Sequence, residues 1–429
     1  MRRLPLIGGA GFVLALVWFL WPVYGFYSNQ FESWRLPFGW QEVPDEVPVF
    51  SDVLDDDYAV AAEKALAVIE ERRAALGLPS LSAAVAVDGQ LVWAGGAGVI
   101  DVGAGEPVSP DVSYRIGSTS KAVTSTLLAR LVQDGTVALD TSIGTYAPDL
   151  PNGAWSDFTL RQLASHQTGL PEYETNTDYA GLYRTLSLRG TLEDPCKASR
   201  LFDGADLSGA PGENFEYTSF GTVLLGCVLQ EAAGQPYADL MQAHVASPLG
   251  LTSLTPDHEP AADGHSRPVW YQARRDGETG IRGELQITEV APWRRVNLSQ
   301  KLPGGGWTAT PSDLARLGAA WLDEEFISTE IREIFHTPVP LADGSANPQG
   351  YAIGWRRAEQ PIGDLEQVVH VNHGGVSKGS QAWLMIVPEH DLALAVTTNA
   401  RTDDFFAFAG VYLDLVDVFL ADGGVARSE

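Results

Sequence analysis

The sequence predicts an α+β fold in which one antiparallel sheet is built from both chain ends and flanked by helices. Three observations support this. A β-hairpin pattern lies near the start of the globular region, three strand patterns lie near its end, and a mostly helical block of roughly 140–330 separates them. Distant strands that share one sheet leave the helical block inserted beside it. An apolar N-terminal segment adds one predicted transmembrane helix.

The first predicted elements are a helix and a β-hairpin. Apolar residues recur at helical spacing over 58–76, and the pattern stops before a glycine. Leu81–Val87 and Leu91–Ala97 have strand character and are separated by Asp88-Gly89, a dipeptide that favours a tight turn. A second helix is predicted over 118–134.

The later elements follow from the same patterns. Helix candidates of the helical block lie at 158–165, 219–234, 236–246 and 311–324. Late strands are predicted at Gln367–Val371, Gln381–Val387 and Leu392–Thr398. A closing helix is predicted at Asp403–Leu420, because apolar residues occupy most of its faces.

The N-terminal segment is unlike the rest of the chain. After Arg2 and Arg3 no charge occurs until Glu32, and the run 4–27 supplies the ~20 apolar residues that a bilayer core requires. Since no small-residue cleavage site follows, we predict that residues 1–27 form an uncleaved anchor in the lipid bilayer; a cleaved signal peptide is the alternative. The remaining chain is expected outside the cytoplasm, in the periplasm if anchored and secreted if cleaved.

Three further parts are predicted after the anchor. Residues 28–58, rich in aromatic residues, proline and aspartate, are expected to form a juxtamembrane linker. Residues 59–422 are expected to form one domain, followed by a tail at 423–429.

The charge balance argues against one class of partner. The 429 residues contain 28 Lys and Arg against 55 Asp and Glu, a net charge of −27 at pH 7. No nucleic-acid partner is expected, because phosphate binding needs clustered basic residues. Lysine is rare, so a lysine within a motif is conspicuous; the lysines are Lys64, Lys121, Lys197, Lys301 and Lys378.

Cysteine and histidine show no spacing typical of a metal site. Cys196 and Cys227 could form one disulfide at most, and we predict two unpaired thiols, with Cys227 as a small apolar core residue. No metal and no cofactor are expected.

One motif combines a nucleophile with a candidate base. Ser118 and Lys121 form the chain's only Ser-x-x-Lys, and at the start of a helix their side chains would lie on one face. A serine hydroxyl needs a nearby base to act as a nucleophile, and a desolvated lysine can serve because burial lowers its pKa. The alternative is a chance pair on a surface helix.

Two further segments carry groups that suit the same chemistry. Tyr217 precedes a predicted helix and could shuttle a proton beside an ammonium group, although a core tyrosine is the more typical interpretation when it is taken alone. His373, followed by Gly374 and Gly375, lies beside an apolar strand, where glycines let a substrate approach the strand edge. The alternative there is a strand-end turn with a solvated histidine.

Taken in order, Ser-x-x-Lys, Tyr-x-Ser and His-x-Gly resemble the motifs of the serine β-lactamase and penicillin-binding protein superfamily. The similarity is to its β-lactamase-related branch of class C-like β-lactamases, D-alanyl-D-alanine carboxypeptidases, esterases and a mitochondrial β-lactamase-like peptidase, whose motifs look closest. Residues 163–171, similar to that family's LLSHTSGLP, and 303–307 support it over roughly 60–420. The resemblance implies a β-lactamase/transpeptidase-like fold.

The resemblance also implies roles for individual residues. Ser118 is expected to be the acylated nucleophile, with Lys121 and Tyr217 transferring protons. The backbone N–H groups of Ser118 and Val376 are expected to form an oxyanion hole. The other expected substrate-binding residues are Ser219, His373, Gly374 and Gly375.

Two departures from the family pattern bear on the activity. Ser219 stands where the second motif often has asparagine. His373 stands where penicillin-binding enzymes have lysine, so the positive charge facing a substrate carboxylate is weaker near pH 7. Both changes favour a peptidase or esterase over an efficient β-lactamase. His166 is expected to belong to a structural turn, outside the site.

The leading hypothesis is a membrane-anchored serine hydrolase that acts through a Ser118 acyl-enzyme on an ester, amide or peptide bond. Its partner would be a small-molecule or peptide substrate, with cell-wall peptides and β-lactams among the candidates. One alternative is a true β-lactamase or D-Ala-D-Ala carboxypeptidase, and another is a catalytically weak protein that binds peptide or peptidoglycan. Residues 172–213 are expected to form a lid or one wall of the site.

Overall fold

The computed structural model describes residues 4–30, 39–173, 175–278, 285–293, 296–402 and 405–422. Its strands are β1 Gln41–Glu42, β2 Val49–Val53, β3 Ser80–Val87, β4 Gln90–Asp101, β5 Glu106–Pro107, β6 Tyr114–Arg115, β7 Thr255–Pro256, β8 Tyr271–Glu278, β9 Leu285–Pro292, β10 Trp307–Ala309, β11 Arg356–Ile362, β12 Leu365–Ser377, β13 Ser380–Val387 and β14 Leu392–Thr398. Its α-helices are α1 Leu4–Gln30, α2 Ala59–Leu76, α3 Ser120–Gln133, α4 Leu160–Ala164, α5 Tyr179–Ser187, α6 Pro195–Ser199, α7 Ser219–Ala233, α8 Tyr237–Met241, α9 Ser247–Leu249, α10 Leu302–Gly305, α11 Pro311–Ala319, α12 Thr329–His336 and α13 Phe405–Asp422.

The main sheet is antiparallel and joins the two ends of the chain, as predicted. Its strands follow the order β11-β12-β13-β14-β3-β4-β2, and β5 pairs with β4. Early and late strands meet between β3 and β14, where Thr398 lies opposite Leu81 and Leu392 lies opposite Val87. The late strands therefore extend the early hairpin into one sheet, with the helical block beside it.

Alternation along β13 gives the sheet two buried faces. Ala382, Leu384 and Ile386 pack into the core of the helical block, whereas Trp383 and Met385 pack into the core that contains α2 and α13. Successive strand residues point to opposite faces, so each strand supplies both cores. Burial of apolar surface on both faces stabilises the folded state by roughly 25 cal/mol per Å². The sheet is therefore the rigid support of the molecule.

Most predicted elements form, with shifted ends. The hairpin turns at Asp88 and Gly89, both with positive φ, and β14 spans the predicted residues. α11 is shorter than the predicted 311–324. β12 continues past the predicted Val371 because its glycine-rich end stays paired with β13. The candidate residues around His373 therefore lie within a strand.

The described part of the predicted linker takes part in sheet pairing. β2 pairs with β4 along its full length and forms an outer strand of the main sheet. β1 pairs with β9 in a separate three-stranded sheet that also includes β8.

The prediction of a transmembrane helix is corrected by the structure. In the described part of the chain, no helix is both long and apolar enough to cross a membrane. A helix does form over Leu4–Gln30, and within it the ring of Phe19 stacks on Tyr183 of α5 at 4.7 Å between centroids.

The prediction of two unpaired thiols is also wrong. Cys196 and Cys227 form a disulfide, with their Cα atoms 4.6 Å apart. The bond joins α6 to α7, which pack directly against each other. The two cysteines are separated by 31 positions, so only the packing of these helices reveals their proximity.

A second three-stranded sheet lies directly before the candidate site in the chain, because its strand β6 precedes the turn that contains Ser118. β10 lies between β6 and β7, and β6 runs into a 3₁₀ turn at Gly117–Thr119 before α3 begins. The side of this turn lies against the end of β12. The site therefore forms where the main sheet meets the helical block.

Candidate active site

Ser118 lies in the 3₁₀ turn at the start of α3. Gly117, the first residue of the turn, has a φ of 51°, and a Cβ there would lie 2.5 Å from the carbonyl oxygen of Val376. Glycine at this position therefore lets the turn touch β12. Ser118 itself is partly exposed, so a substrate can reach its hydroxyl group.

Lys121 lies one helical turn beyond Ser118 and is buried, with only 2% of the residue exposed. Its Nζ donates hydrogen bonds to the hydroxyl oxygens of Ser118 at 3.2 Å and Ser219 at 3.1 Å, and to the carbonyl oxygen of Gly304 at 3.1 Å. These acceptors use all three donors of an ammonium group. The predicted first and second motifs thus meet at the side chain of Lys121.

Ser219 is the first residue of α7 and is positioned by its backbone as well as by Lys121. Its N–H donates to the Glu172 carboxylate at 2.5 Å, and the side chain of the N-cap residue Thr218 accepts from the next two N–H groups. A carboxylate is stabilising at a helix N-terminus, where backbone N–H groups lack partners within the helix. Glu172 therefore helps to fix the second motif.

Tyr217 precedes this helix and lies against two cations. The Nζ of Lys121 is 4.6 Å from its ring centroid, and the Arg356 guanidinium is 5.2 Å from the same centroid. Such distances allow cation–π attraction. Tyr217 therefore contacts the ammonium of Lys121 with the face of its ring.

The ring of His166 packs against the ring of Tyr217. The two ring centroids are 4.4 Å apart, and the Nδ1 of His166 accepts a hydrogen bond from the Thr218 N–H at 3.2 Å. Burial, with Lys121 and Arg356 nearby, holds the pKa of His166 well below its usual range. The imidazole is therefore neutral, and its position is that of a residue that holds the Tyr217 segment in place.

The end of β12 presents backbone to the nucleophile turn. A Cβ at Gly375 would lie 1.9 Å from the carbonyl oxygen of Ile116 and 2.8 Å from the nitrogen of Ser118, so this contact requires glycine. The Thr119 hydroxyl also donates to the carbonyl oxygen of His373 at 3.1 Å. Gly374 faces the opposite side of the sheet, because a Cβ there would meet the ring of Trp383 at 2.5 Å.

The N–H of Val376 points to an open strand edge. Pairing with β11 begins at Asn372, so in the described structure 373–377 extend beyond that strand. Ser377 and Ser380 flank the two-residue turn to β13 and form its hydrogen-bonded pair. Because hydrogen-bonded and non-bonded pairs alternate, the Val376 N–H faces away from β13. It is thus available to a substrate oxygen.

His373 is fully buried and is held by two hydrogen bonds. Its Nδ1 lies 2.8 Å from the carbonyl oxygen of Gly374, and its Nε2 lies 2.9 Å from the Tyr351 hydroxyl. A carbonyl only accepts, so Nδ1 carries the proton and Tyr351 donates to Nε2. Burial, reinforced by Arg356 and Lys121, keeps the pKa of His373 well below its usual range. This histidine is therefore neutral and offers no positive charge.

Sequence reasoning missed several residues that contact the site. Gly304 belongs to the 303–307 segment that supported the family resemblance, and Glu172 directly follows the 163–171 segment, so both lay beside a signal. Arg356 carried none, because only the pairing of β11 with β12 brings it to Tyr217. Tyr351, which precedes β11 and bridges to Arg356, carried none either, although its hydroxyl contacts His373.

One group of described residues has the composition of a metal site. The potential ligand atoms of Glu193, His258 and Glu259 lie within 4.8 Å of one another, and both carboxylates are exposed. The group is outside the hydrogen-bond network of Ser118 and Lys121.

Together these groups have the parts needed for acyl transfer. Ser118 is an accessible nucleophile beside the amine of Lys121, as nucleophilic catalysis requires, and the ring of Tyr217 lies against the same amine. The Val376 N–H at the open strand edge and the Ser118 N–H at the helix start can stabilise a developing negative charge.

Comparison with known proteins gives a consistent picture. A protein-family model described as Beta-lactamase matches residues 66–417. The human mitochondrial serine beta-lactamase-like protein LACTB is 26% identical over 411 residues, covering 77% of this chain and 73% of its own length. Esterase EstB of Burkholderia gladioli is 30% identical over 236 residues, covering 52% of this chain and 59% of EstB.

A solved structure also shares the fold. The D-amino acid amidase from Ochrobactrum anthropi SV3 superposes with a TM-score of 0.66 at 23% sequence identity. The superposition covers 84% of this chain and 98% of the amidase. The predicted β-lactamase/transpeptidase-like α+β fold is thereby confirmed.

Proposed function

Because this chain belongs to the beta-lactamase family of serine hydrolases, we propose that it cleaves an ester, amide or peptide bond through an acyl-enzyme on Ser118. The observation that carries the proposal is the position of Lys121, whose Nζ joins the hydroxyl groups of Ser118 and Ser219. The likeness to an esterase, EstB, supports a carbonyl substrate that need not contain a β-lactam ring.

The first half-reaction forms the acyl-enzyme. The Oγ of Ser118 bonds to the substrate carbonyl carbon, and its proton passes to neutral Lys121 or to the phenolate of Tyr217. The carbonyl electron pair moves to oxygen, where the N–H groups of Ser118 and Val376 stabilise it. When the intermediate collapses, the bond to the leaving group breaks and the leaving group takes the proton.

The second half-reaction restores the enzyme. Water attacks the acyl carbon and gives its proton to the same base, so a second tetrahedral oxyanion forms in the same place. Collapse breaks the bond to the Oγ of Ser118, which regains a proton. The net reaction is hydrolysis, with one water consumed.

The environment of His373 favours a peptidase or esterase over a β-lactamase. Its neutral ring is occupied by Tyr351 and Gly374, so it supplies no cation for the carboxylate of a penicillin or cephalosporin. Hydrolysis of nitrocefin with a kcat/KM above that of simple esters would reverse this preference.

Turnover of p-nitrophenyl esters tests the proposal. Ser118→Ala should lower kcat by roughly 10³-fold or more, because the nucleophile is lost. Ser120→Ala is the matched control, since it removes a buried hydroxyl two positions away and should keep most of the activity. Turnover that survives Ser118→Ala contradicts the acyl-enzyme. A wild type that binds esters, amides and D-amino-acid peptides without cleaving any of them would favour a binding protein.

We also propose that the domain works outside the cytoplasm. The Cys196–Cys227 disulfide supports this location, because disulfides persist in oxidising compartments and are rare in the cytosol. Thiol blocking in intact cells, before and after reduction, tests it. Both cysteines should resist alkylation until reduction, and alkylation without a reductant would contradict the location. Cys227→Ala, which leaves the partly exposed thiol of Cys196, shows how strongly a free thiol is labelled.

A further inference from the structure

Lys301 lies beside the nucleophile turn and was not among the predicted site residues. It ends the 3₁₀ helix Ser299–Lys301 and directly precedes α10, whose Gly304 carbonyl accepts from Lys121. A Cβ at Gly305 would lie 3.8 Å from the Cδ of Lys301 and 3.9 Å from the carbonyl carbon of Gly117. The stem of Lys301 is therefore one glycine away from the turn that carries Ser118.

The Lys301 ammonium has no polar partner among the described residues. In the part of the chain that the structure describes, it makes no hydrogen bond or ion pair, and its nearest aromatic contact is the ring of Tyr173, 5.4 Å from Nζ. The residue is only partly exposed. An ammonium that is partly withdrawn from water and unpaired is stabilised when an anion binds beside it.

The acidic groups that face Lys301 are already engaged. Glu172 accepts the Ser219 N–H, and Asp257 forms an ion pair with Arg115 at 2.6 Å. Neither carboxylate lies within ion-pair distance of the ammonium of Lys301. Lys301 is therefore a cation without an ion-pair partner among the described residues, on a stem that lies one glycine from the Ser118 turn.

The charges around Lys301 also favour an anion at this position. Burial lowers the pKa of Lys301 to about 8; Glu172 and Asp257 oppose this shift, and Lys121 and Arg115 add to it. Burial lowers the pKa of Lys378 to about 7, with Lys301 and Arg115 contributing. Cations therefore collect on this side of the site in a chain whose net charge is −27, and at pH 7 Lys301 is mostly charged.

We propose that Lys301, over the ring of Tyr173, forms an anion subsite beside Ser118, and that the natural substrate carries a carboxylate there. This inference rests on the proposed hydrolase and narrows its substrate class. A carboxylate would receive a charge-assisted hydrogen bond from the ammonium of Lys301. Because His373 is neutral, the carboxylate would bind at Lys301 and not at the third motif.

Paired substrates test the proposal. One pair places the charge on the acyl group, as mono-p-nitrophenyl adipate against p-nitrophenyl hexanoate. The other places it on the leaving group, as 4-acetoxybenzoate against its methyl ester. In at least one pair, the wild type should prefer the anionic member in kcat/KM by about tenfold, the size of one charge-assisted contact.

Variants of Lys301 assign the preference. Lys301→Met should reduce the ratio of anionic to neutral kcat/KM by about tenfold, mainly through KM, whereas Lys301→Arg should keep most of it. Lys197→Met is the control, because Lys197 is exposed and paired with Asp194 at 3.1 Å, and its ratio should match the wild type.

The outcomes separate the two proposals. A wild type without any preference for the anionic member, or a ratio that stays the same in Lys301→Met, overturns the anion subsite while ester turnover that depends on Ser118 leaves the hydrolase intact. Turnover that survives Ser118→Ala overturns the hydrolase mechanism instead. If Lys301→Met fails to fold, the same comparison is made with Lys301→Gln, and a wild-type ratio near one overturns the subsite without any variant.

Discussion

The Nζ of Lys121, in the first turn of α3, donates a hydrogen bond across 3.2 Å to the Oγ of Ser118, in the 3₁₀ turn that precedes this helix. The other two protons of the ammonium are directed to Ser219 and Gly304. In this arrangement the lysine orients the nucleophile while charged, and it accepts the serine proton only when neutral. The two roles can be separated by substitution.

Lys121→Met should lower kcat by roughly 10³-fold, because both the orienting bond and the base are lost. Lys121→Arg should do comparable damage, since a guanidinium keeps its proton and cannot serve as a base. Steady-state kinetics with a p-nitrophenyl ester measure both. An arginine variant with near wild-type kcat would show that only the positive charge matters, which contradicts proton transfer through Lys121.

Gly375→Ala should lower kcat by roughly 10²-fold, because a Cβ at this position would displace β12 from the Ser118 turn and misplace the oxyanion donors. The melting temperature should fall less than for a core deletion, since the rest of β12 remains paired. Gly153→Ala is the matched control, because its Cβ would meet nothing within 4 Å. Wild-type kinetics in Gly375→Ala would contradict the close contact.

His336 makes stability depend on pH. It is buried against Trp321 and Trp355, and burial, with help from Arg332 and Arg357, lowers its pKa to about 3. The unfolded chain, with a histidine pKa of about 6.5, binds more protons than the folded chain between these values. The stability contribution is therefore complete above pH 6.5 and falls as the pH drops toward 3.

Urea unfolding at pH 7 and pH 5 measures this effect. The wild type should lose unfolding free energy between the two values, and His336→Phe should lose on the order of 1–2 kcal/mol less. Other buried histidines act in the same direction, such as His370, whose pKa burial lowers to about 4, so part of the loss should persist. An identical loss in wild type and variant would show that His336 is not held neutral by the fold.

Local patterns made much of the fold predictable. The Asp88-Gly89 turn and the apolar run of β14 depend on neighbouring residues, and each formed where the sequence placed it. Ser118 and Lys121 are likewise close in sequence, so helical spacing was enough to bring their side chains together. The sheet between the chain ends followed from the order of the elements.

Features set by tertiary packing were not predictable in the same way. The Cys196–Cys227 disulfide depends on α6 packing against α7, and Arg356 reaches Tyr217 only through the pairing of β11 with β12. For the N-terminal segment, composition alone suggested a membrane span, which the helices of the described structure do not support. Lys301 was visible as a rare lysine, but its distance from Ser118 was not.

Peptide mapping after reaction with a fluorophosphonate probe tests the central claim most directly. Trypsin cleavage after Arg115 and Lys121 releases residues 116–121, which contain both Ser118 and Ser120. We predict one adduct on this peptide, assigned by fragmentation to Ser118 and absent from Ser118→Ala. Lys121→Met removes the cleavage site after residue 121, so in that variant the adduct should form more slowly and should be found on the longer peptide 116–130. An adduct on Ser120 or elsewhere, or ester turnover by an enzyme that the probe never labels, would contradict a Ser118 acyl-enzyme.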